Sequence, residues 1–246
     1  LLRLIQIEFL KLRRRKFVWI MMLSAFVMPF LAFLLFKYTK KAGVDPVQFY
    51  KWSAFGFTMF IILPFVLGVL CTMLMYDENQ YDMLKQLWIV PISKMGYFFS
   101  KFFVVLIYSI CFMLITAAAS VMFSVLPGYV IFDWESVLFL LKKCLEIGVI
   151  TAFAMLPILA IAVSQKGYIL PVSIELVYAF LGFILMTINM YIHPLSSMSV
   201  IVMRNGDIPG LAFTQAININ LALLCICVWD ITAILIANAA LKRRCE

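Results

Sequence analysis

The chain has 246 residues, of which 65% are hydrophobic and 13% charged, with a mean hydropathy of +1.07 and a net charge of +8. No soluble domain of this length can enclose so much apolar surface. The solvent is therefore lipid, and no length is left for a separate soluble catalytic domain. The basic residues sit at the ends of hydrophobic spans, which reads as membrane anchoring and topology and argues against nucleic acid as a partner.

Residues 1–16 are too polar to span. Leu4, Ile5, Phe9 and Leu12 make one apolar stripe, and Arg13 to Lys16 are continuous charge, so an amphipathic interfacial helix is expected, its basic end at anionic lipid headgroups. The opening Leu1-Leu2, without methionine, implies preceding residues. The first apolar run is of span length and follows a basic helix, so it is not expected to be a removable signal peptide. Six spans of about 20 residues follow, at about 17–36, 53–75, 102–124, 143–163, 168–190 and 216–240. The whole chain reads as a single all-α, polytopic membrane domain. Prolines 29, 64, 157 and 171 fall inside spans, where each frees a backbone carbonyl and permits a kink.

The connection from Tyr76 to Lys101 carries its own helical pattern. Tyr81, Leu84, Leu87 and Trp88 recur at three- and four-residue steps, with Asp82, Lys85 and Gln86 on the other side. Asp77, Glu78 and Asp82 suit the positive end of a helix dipole. Pro91 stops the helix, and Ser93 is placed to cap the next one. The expected element is a short amphipathic helix over 77–90, then a break, then direct re-entry into the membrane. Its apolar face needs a cover, either a partner protein or the headgroup layer.

An acidic residue, a leucine-containing helix, then Pro-Ile-Ser-Lys, an aromatic and a lysine resemble the loop between spans two and three of ABC-2-type permeases. The matching positions are Glu78, Leu84, Leu87, Pro91, Ile92, Ser93, Lys94, Tyr97 and Lys101. The family's Gly-Thr after the acidic residue is replaced by Tyr81-Asp82. Glu8 to Arg13 is similar to the opening of many such permeases. The resemblance implies that 77–90 is a cytoplasmic coupling helix seated in a groove of a separate ATPase subunit, with Glu78, Tyr81, Leu84, Leu87, Trp88, Pro91, Ser93 and Lys94 at the contact. It also implies a second permease, identical or related, beside this one. Length, short loops and basic start look most like permeases of the bacitracin-resistance and lantibiotic-immunity group, whose substrates are amphipathic peptides or lipid-like molecules.

Further along, 191–215 is too apolar for a solvated loop. A short helix dipping into the membrane, a turn at Asn205-Gly206 and a second dip from Pro209 are expected, like the re-entrant helices before the last span of ABC-2 exporters. Lys and Arg number thirteen on the side of the termini and seven on the other, which places both termini and the coupling stretch in the cytoplasm, and the resemblance implies that the membrane is a bacterial plasma membrane. Three carboxylates lie in or near spans. Glu146 has Lys142 and Lys143 within a turn to pair with. Glu175 and Asp230 have no such partner, and either line a polar path or a proton site, or bond between helices. His193, the only histidine, reads as a solvated residue at the end of span five, and one histidine cannot make a metal site. The six cysteines form no CxxC pair and read as small apolar fillers.

No Walker sequence is present, so this chain is expected to be non-catalytic and to hold no cofactor, with ATP and magnesium in the partner ATPase. The sequence points to an ATP-driven exporter subunit. Two rivals stay open. One is a proton-coupled carrier using Glu175 or Asp230, which would normally show repeated halves that are not evident here. The other is a non-transporting sensor or assembly partner of an ATPase.

Overall fold

The computed structural model describes residues 2–39, 44–80, 93–165, 167–206, 208 and 217–243. Helix dominates, and among the described residues there is no strand. An N-terminal helix, Leu2–Arg13, precedes six apolar helices long enough to cross a bilayer: Lys16–Thr39, Pro46–Tyr76, Lys94–Val125, Trp134–Ser164, Ile169–Ile188 and Ile219–Arg243. A short helix, Pro194–Val202, lies between spans five and six. An even number of crossings returns the chain to the side where it began, and that side is called the terminal end below.

Spans three and four begin well before the expected 102 and 143. A hydropathy window detects only the apolar part of a helix, whereas backbone hydrogen bonding continues until a cap ends it. Ser93 is that cap for span three, its Oγ accepting from the Gly96 amide at 3.1 Å. Asp133 caps span four by accepting from the Ser136 amide at 2.9 Å and the Glu135 amide at 3.4 Å.

Prolines 29, 64 and 157 coincide with irregular helix, whereas Pro171 lies in the first turn of span five, where its missing amide costs no helical bond. A proline cannot donate to the carbonyl four residues back, and in hydrocarbon that carbonyl needs another donor. Pro29 follows a 3-10 turn at Ser24–Phe26, and Thr116 of span three donates its hydroxyl to the Ala25 carbonyl at 3.4 Å. Span four breaks at Met155, before Pro157. There the Ile158 amide turns to Met155, and Tyr178 of span five donates to the Ala154 carbonyl at 2.6 Å. Span two carries two π turns, Lys51–Phe55 and Thr58–Ile62, immediately before Leu63-Pro64.

Spans two and four bury most of their surface and form the centre, while spans one, five and six bury the least. Span three lies along the first half of span four, and Gly148 brings their backbones together: a Cβ there would meet Ile110 Cα at 3.2 Å. Ser109 Oγ donates to the Gly148 carbonyl at 2.7 Å across the same contact. Small residues and hydroxyls of this kind do in lipid what apolar burial does in water.

Candidate functional site

Three stretches far apart in sequence meet at the terminal end. Glu8 comes from the N-terminal helix, Glu78 from the end of the helix that carries span two, and Tyr97 and Lys101 from the first turns of span three. Tyr97 and Lys101 are four residues apart and share a helix face, as do Glu8 and Lys11 at a spacing of three. The Lys101 ammonium donates to Glu78 Oε1 at 2.6 Å, to Glu8 Oε2 at 2.7 Å and to the Leu74 carbonyl at 3.3 Å. Lys11 Nζ reaches the same two carboxylates, Glu78 at 2.8 Å and Glu8 at 3.1 Å. The Tyr97 hydroxyl donates to Glu78 Oε2, and Lys101 Nζ sits 5.2 Å from the centre of the Tyr97 ring.

Lys101 is wholly enclosed, Glu8 and Glu78 are buried, and Lys11 closes the cluster from a half-exposed position. Two carboxylates and two ammonium groups cancel in charge. Burial alone would push the Glu78 carboxyl up. The Lys101 charge, with hydrogen bonds from Lys101, Lys11 and Tyr97, outweighs that and holds it at about 2. Burial works against the Lys11 ammonium too, and the Glu78 hydrogen bond and charge reverse it, leaving Lys11 above its ordinary value. Desolvated ions of this sort persist only where every charge is matched and the hydrogen bonds are good.

The cluster ties the N-terminal helix to both edges of the connection between spans two and three. Tyr81, Leu84, Leu87, Trp88 and Pro91 lie outside the described residues. Glu78, just before that connection, is enclosed by the chain's own groups. Ser93 caps span three and Lys94 opens it. A force applied to the connection would pass into two spans and the N-terminal helix together. The Glu8–Lys101 pairing was not foreseen, although a signal for it exists: Glu8 lies one turn from both Leu4 and Leu12, a charge within the apolar stripe.

The intramembrane carboxylates go elsewhere. Span five buries a narrow seam of Pro171, Glu175, Tyr178 and Gly182. Glu175 is fully enclosed against Gly68 of span two, where an added Cβ would fall 1.9 Å from Glu175 Cγ. Neither of its carboxylate oxygens has a hydrogen-bond partner among the described residues, and the same holds for the buried Oδ1 of Asp230. Glu146 does not rest on neighbouring lysines alone. Its Lys143 contact is 3.8 Å, and the Arg204 guanidinium, from beyond the short helix, donates to its Oε1. Lys143 itself donates to the Val202 carbonyl at 2.7 Å.

His193 is buried, contrary to the solvated position expected from sequence. After span five the chain turns back, and the imidazole settles on Gly182, where a side chain would meet Nδ1 at 3.1 Å, with its ring centre 4.2 Å from that of Tyr178. Its Nδ1 accepts from the Leu195 amide at 3.3 Å, capping the helix Pro194–Val202. Burial holds the imidazole well below its ordinary value, at about 4. Trp229 of span six donates to the Ile192 carbonyl at 3.0 Å, so this helix starts beside the middle of span six. The turn at Asn205-Gly206 follows, with Gly206 at φ +67°, and the second dip expected from Pro209 lies outside the described residues. Among the described residues, no group of three or more His, Cys, Asp or Glu could hold a metal ion.

Residues 4–182 match a family model described as ABC-2 family transporter protein. No curated protein matches the chain.

Proposed function

The chain belongs to the ABC-2 family of transporter proteins, and on that premise we propose that it is the permease subunit of an ATP-driven exporter. It works with a separate ATPase subunit seated on residues 77–90, and with a second permease, identical or related, at its side. The observation that carries this reading is the neutral, enclosed cluster of Glu8, Lys11, Glu78, Tyr97 and Lys101. It braces the connection that an ATPase would push, and it does so where the two stretches resembling ABC-2 permeases meet. ATP-driven closure of two ATPase subunits would press on the paired connections, and the brace would carry that motion into spans two and three. The substrate class is an amphipathic peptide antibiotic of the bacitracin or lantibiotic kind. The membrane is the bacterial plasma membrane, and the basic asymmetry puts both termini in the cytoplasm.

The test is co-purification with a candidate ATPase subunit, with ATP turnover measured with and without bacitracin. Wild type is expected to retain the ATPase and respond to the peptide. Apolar anchors, aromatic ones above all, dominate protein interfaces at about 2 kcal/mol or more, whereas a hydrated rim charge contributes well under that. Trp88→Ala should therefore release or uncouple the ATPase, and Lys85→Ala should be mild. Equal recovery of the ATPase with Trp88→Ala and wild type would make the helix a plain lipid anchor and remove the coupling proposal.

A proton-coupled carrier remains the second reading, supported by the two unpartnered oxygens of the enclosed Glu175. It predicts uptake driven by a pH gradient in vesicles that lack any ATPase, abolished in Glu175→Gln.

A further inference from the structure

An apolar groove of about 380 Å³ opens at the end of the bundle opposite the termini, between span one and the start of span two. Met28, Leu31, Ala32 and Leu35 form one wall, and Trp52 and Phe57 the other. The second wall owes its shape to irregular helix. The Gly56 amide donates to the Lys51 carbonyl five residues back, closing a π turn, and a Cβ at Gly56 would come within 2.9 Å of that carbonyl. The helix breaks at Gly56, at φ −80° and ψ −113°, between the two π turns, and Trp52 and Phe57 on either side of that break line one wall. Single π turns of this kind recur at functional positions.

The rim is cationic. Lys51, next to Trp52, holds its ammonium 5.8 Å from the centre of the Trp52 ring, whereas Lys37 turns to the other face of span one, 5.9 Å from the centre of the Phe33 ring. Neither has an ion-pair partner among the described residues. An apolar slot, with an unpaired ammonium group at its mouth and bilayer outside, is complementary to one class of molecule: an apolar chain ending in a negative headgroup. We propose that this groove holds one acyl chain of an anionic phospholipid from the surrounding leaflet, with Lys51 on its phosphate. A neutral or zwitterionic lipid fills the slot equally well and gains less at the rim. The site is independent of whether the chain drives export.

Native mass spectrometry of the delipidated full chain, titrated with phosphatidylglycerol or with phosphatidylcholine of the same acyl chains, tests this. One phosphatidylglycerol should remain bound under activation that strips phosphatidylcholine. Lys51→Gln should lower that preference about fivefold, the weight of one lysine near an anionic surface. Leu35→Trp, which fills the slot from a partly exposed position, should abolish the retained lipid of either kind. Lys142→Gln, an exposed lysine near the start of span four, should leave both unchanged. Wild-type retention in both Lys51→Gln and Leu35→Trp would overturn the proposal. So would a lipid-free dimer that Leu35→Trp dissociates, because the groove would then be an interface between two copies.

Discussion

Removing the Lys101 ammonium leaves Glu8 and Glu78 sharing only the half-exposed Lys11. Breaking one partner out of a buried ionic cluster costs about 3–5 kcal/mol, because the remaining charge has neither water nor a counter-ion. Lys101→Met should lower the thermal midpoint accordingly, and adding Glu8→Gln should recover part of the loss by removing the orphaned carboxylate. If the single and double variants melt together, the cluster has been misread. Two pH windows follow from the same reasoning. Glu78 is held low in the fold, so its contribution is complete above the ordinary carboxyl range and is lost as pH falls toward about 2. His193 is favoured neutral, so its contribution is complete above its ordinary 6.5 and is lost as pH falls from there through about 4. The imidazolium would also present a donor to the Leu195 amide, uncapping the helix Pro194–Val202. Melting measured from pH 7 to pH 4 should fall in wild type and stay flatter in His193→Asn; parallel curves would exclude the role.

Helix contacts make a sharper demand on individual glycines. Gly68→Ala places a methyl inside Glu175, and overpacking of this kind costs about 1–3 kcal/mol. Glu175→Ala removes the obstructing atoms, so the double variant should melt above Gly68→Ala alone; if it does not, the two spans do not cross there. The pairing of Glu175 with Gly68 could not be read from sequence, because it joins residues more than 100 positions apart with no periodic signal. The spans themselves were legible, since length and apolarity are properties of each segment. Prolines 29, 64 and 157 were legible as breaks for the same local reason, whereas Pro171 opens span five and breaks nothing. Which hydroxyl answers each freed carbonyl was not, because Thr116 and Tyr178 arrive from other helices. His193 was misplaced for a related reason: the polar dipeptide His193-Pro194 looks like a loop until the chain turns back onto Gly182.

At the scale of the molecule, the basic asymmetry predicts that the loops 37–52 and 191–215 face outward. Single cysteines at Ala42 and Asn205, in a background without other cysteines, should react with an impermeant maleimide on intact cells. Reaction only after permeabilisation would invert the topology. The ionic cluster has a further consequence for how the chain is made. Glu8 and Lys101 are separated by 93 positions, and Ala25 waits 91 for Thr116. At about 5–20 residues per second of synthesis, each lacks its partner for roughly 5–20 s. During that interval span one is in the membrane with a carbonyl unanswered, and Glu8 has only the half-exposed Lys11 to neutralise it. The emergence of span three from the ribosome is thus the moment at which the first half of the protein stops being a liability to the cell's insertion machinery. Nascent chains arrested before Lys101 should be the ones that its quality control holds and degrades.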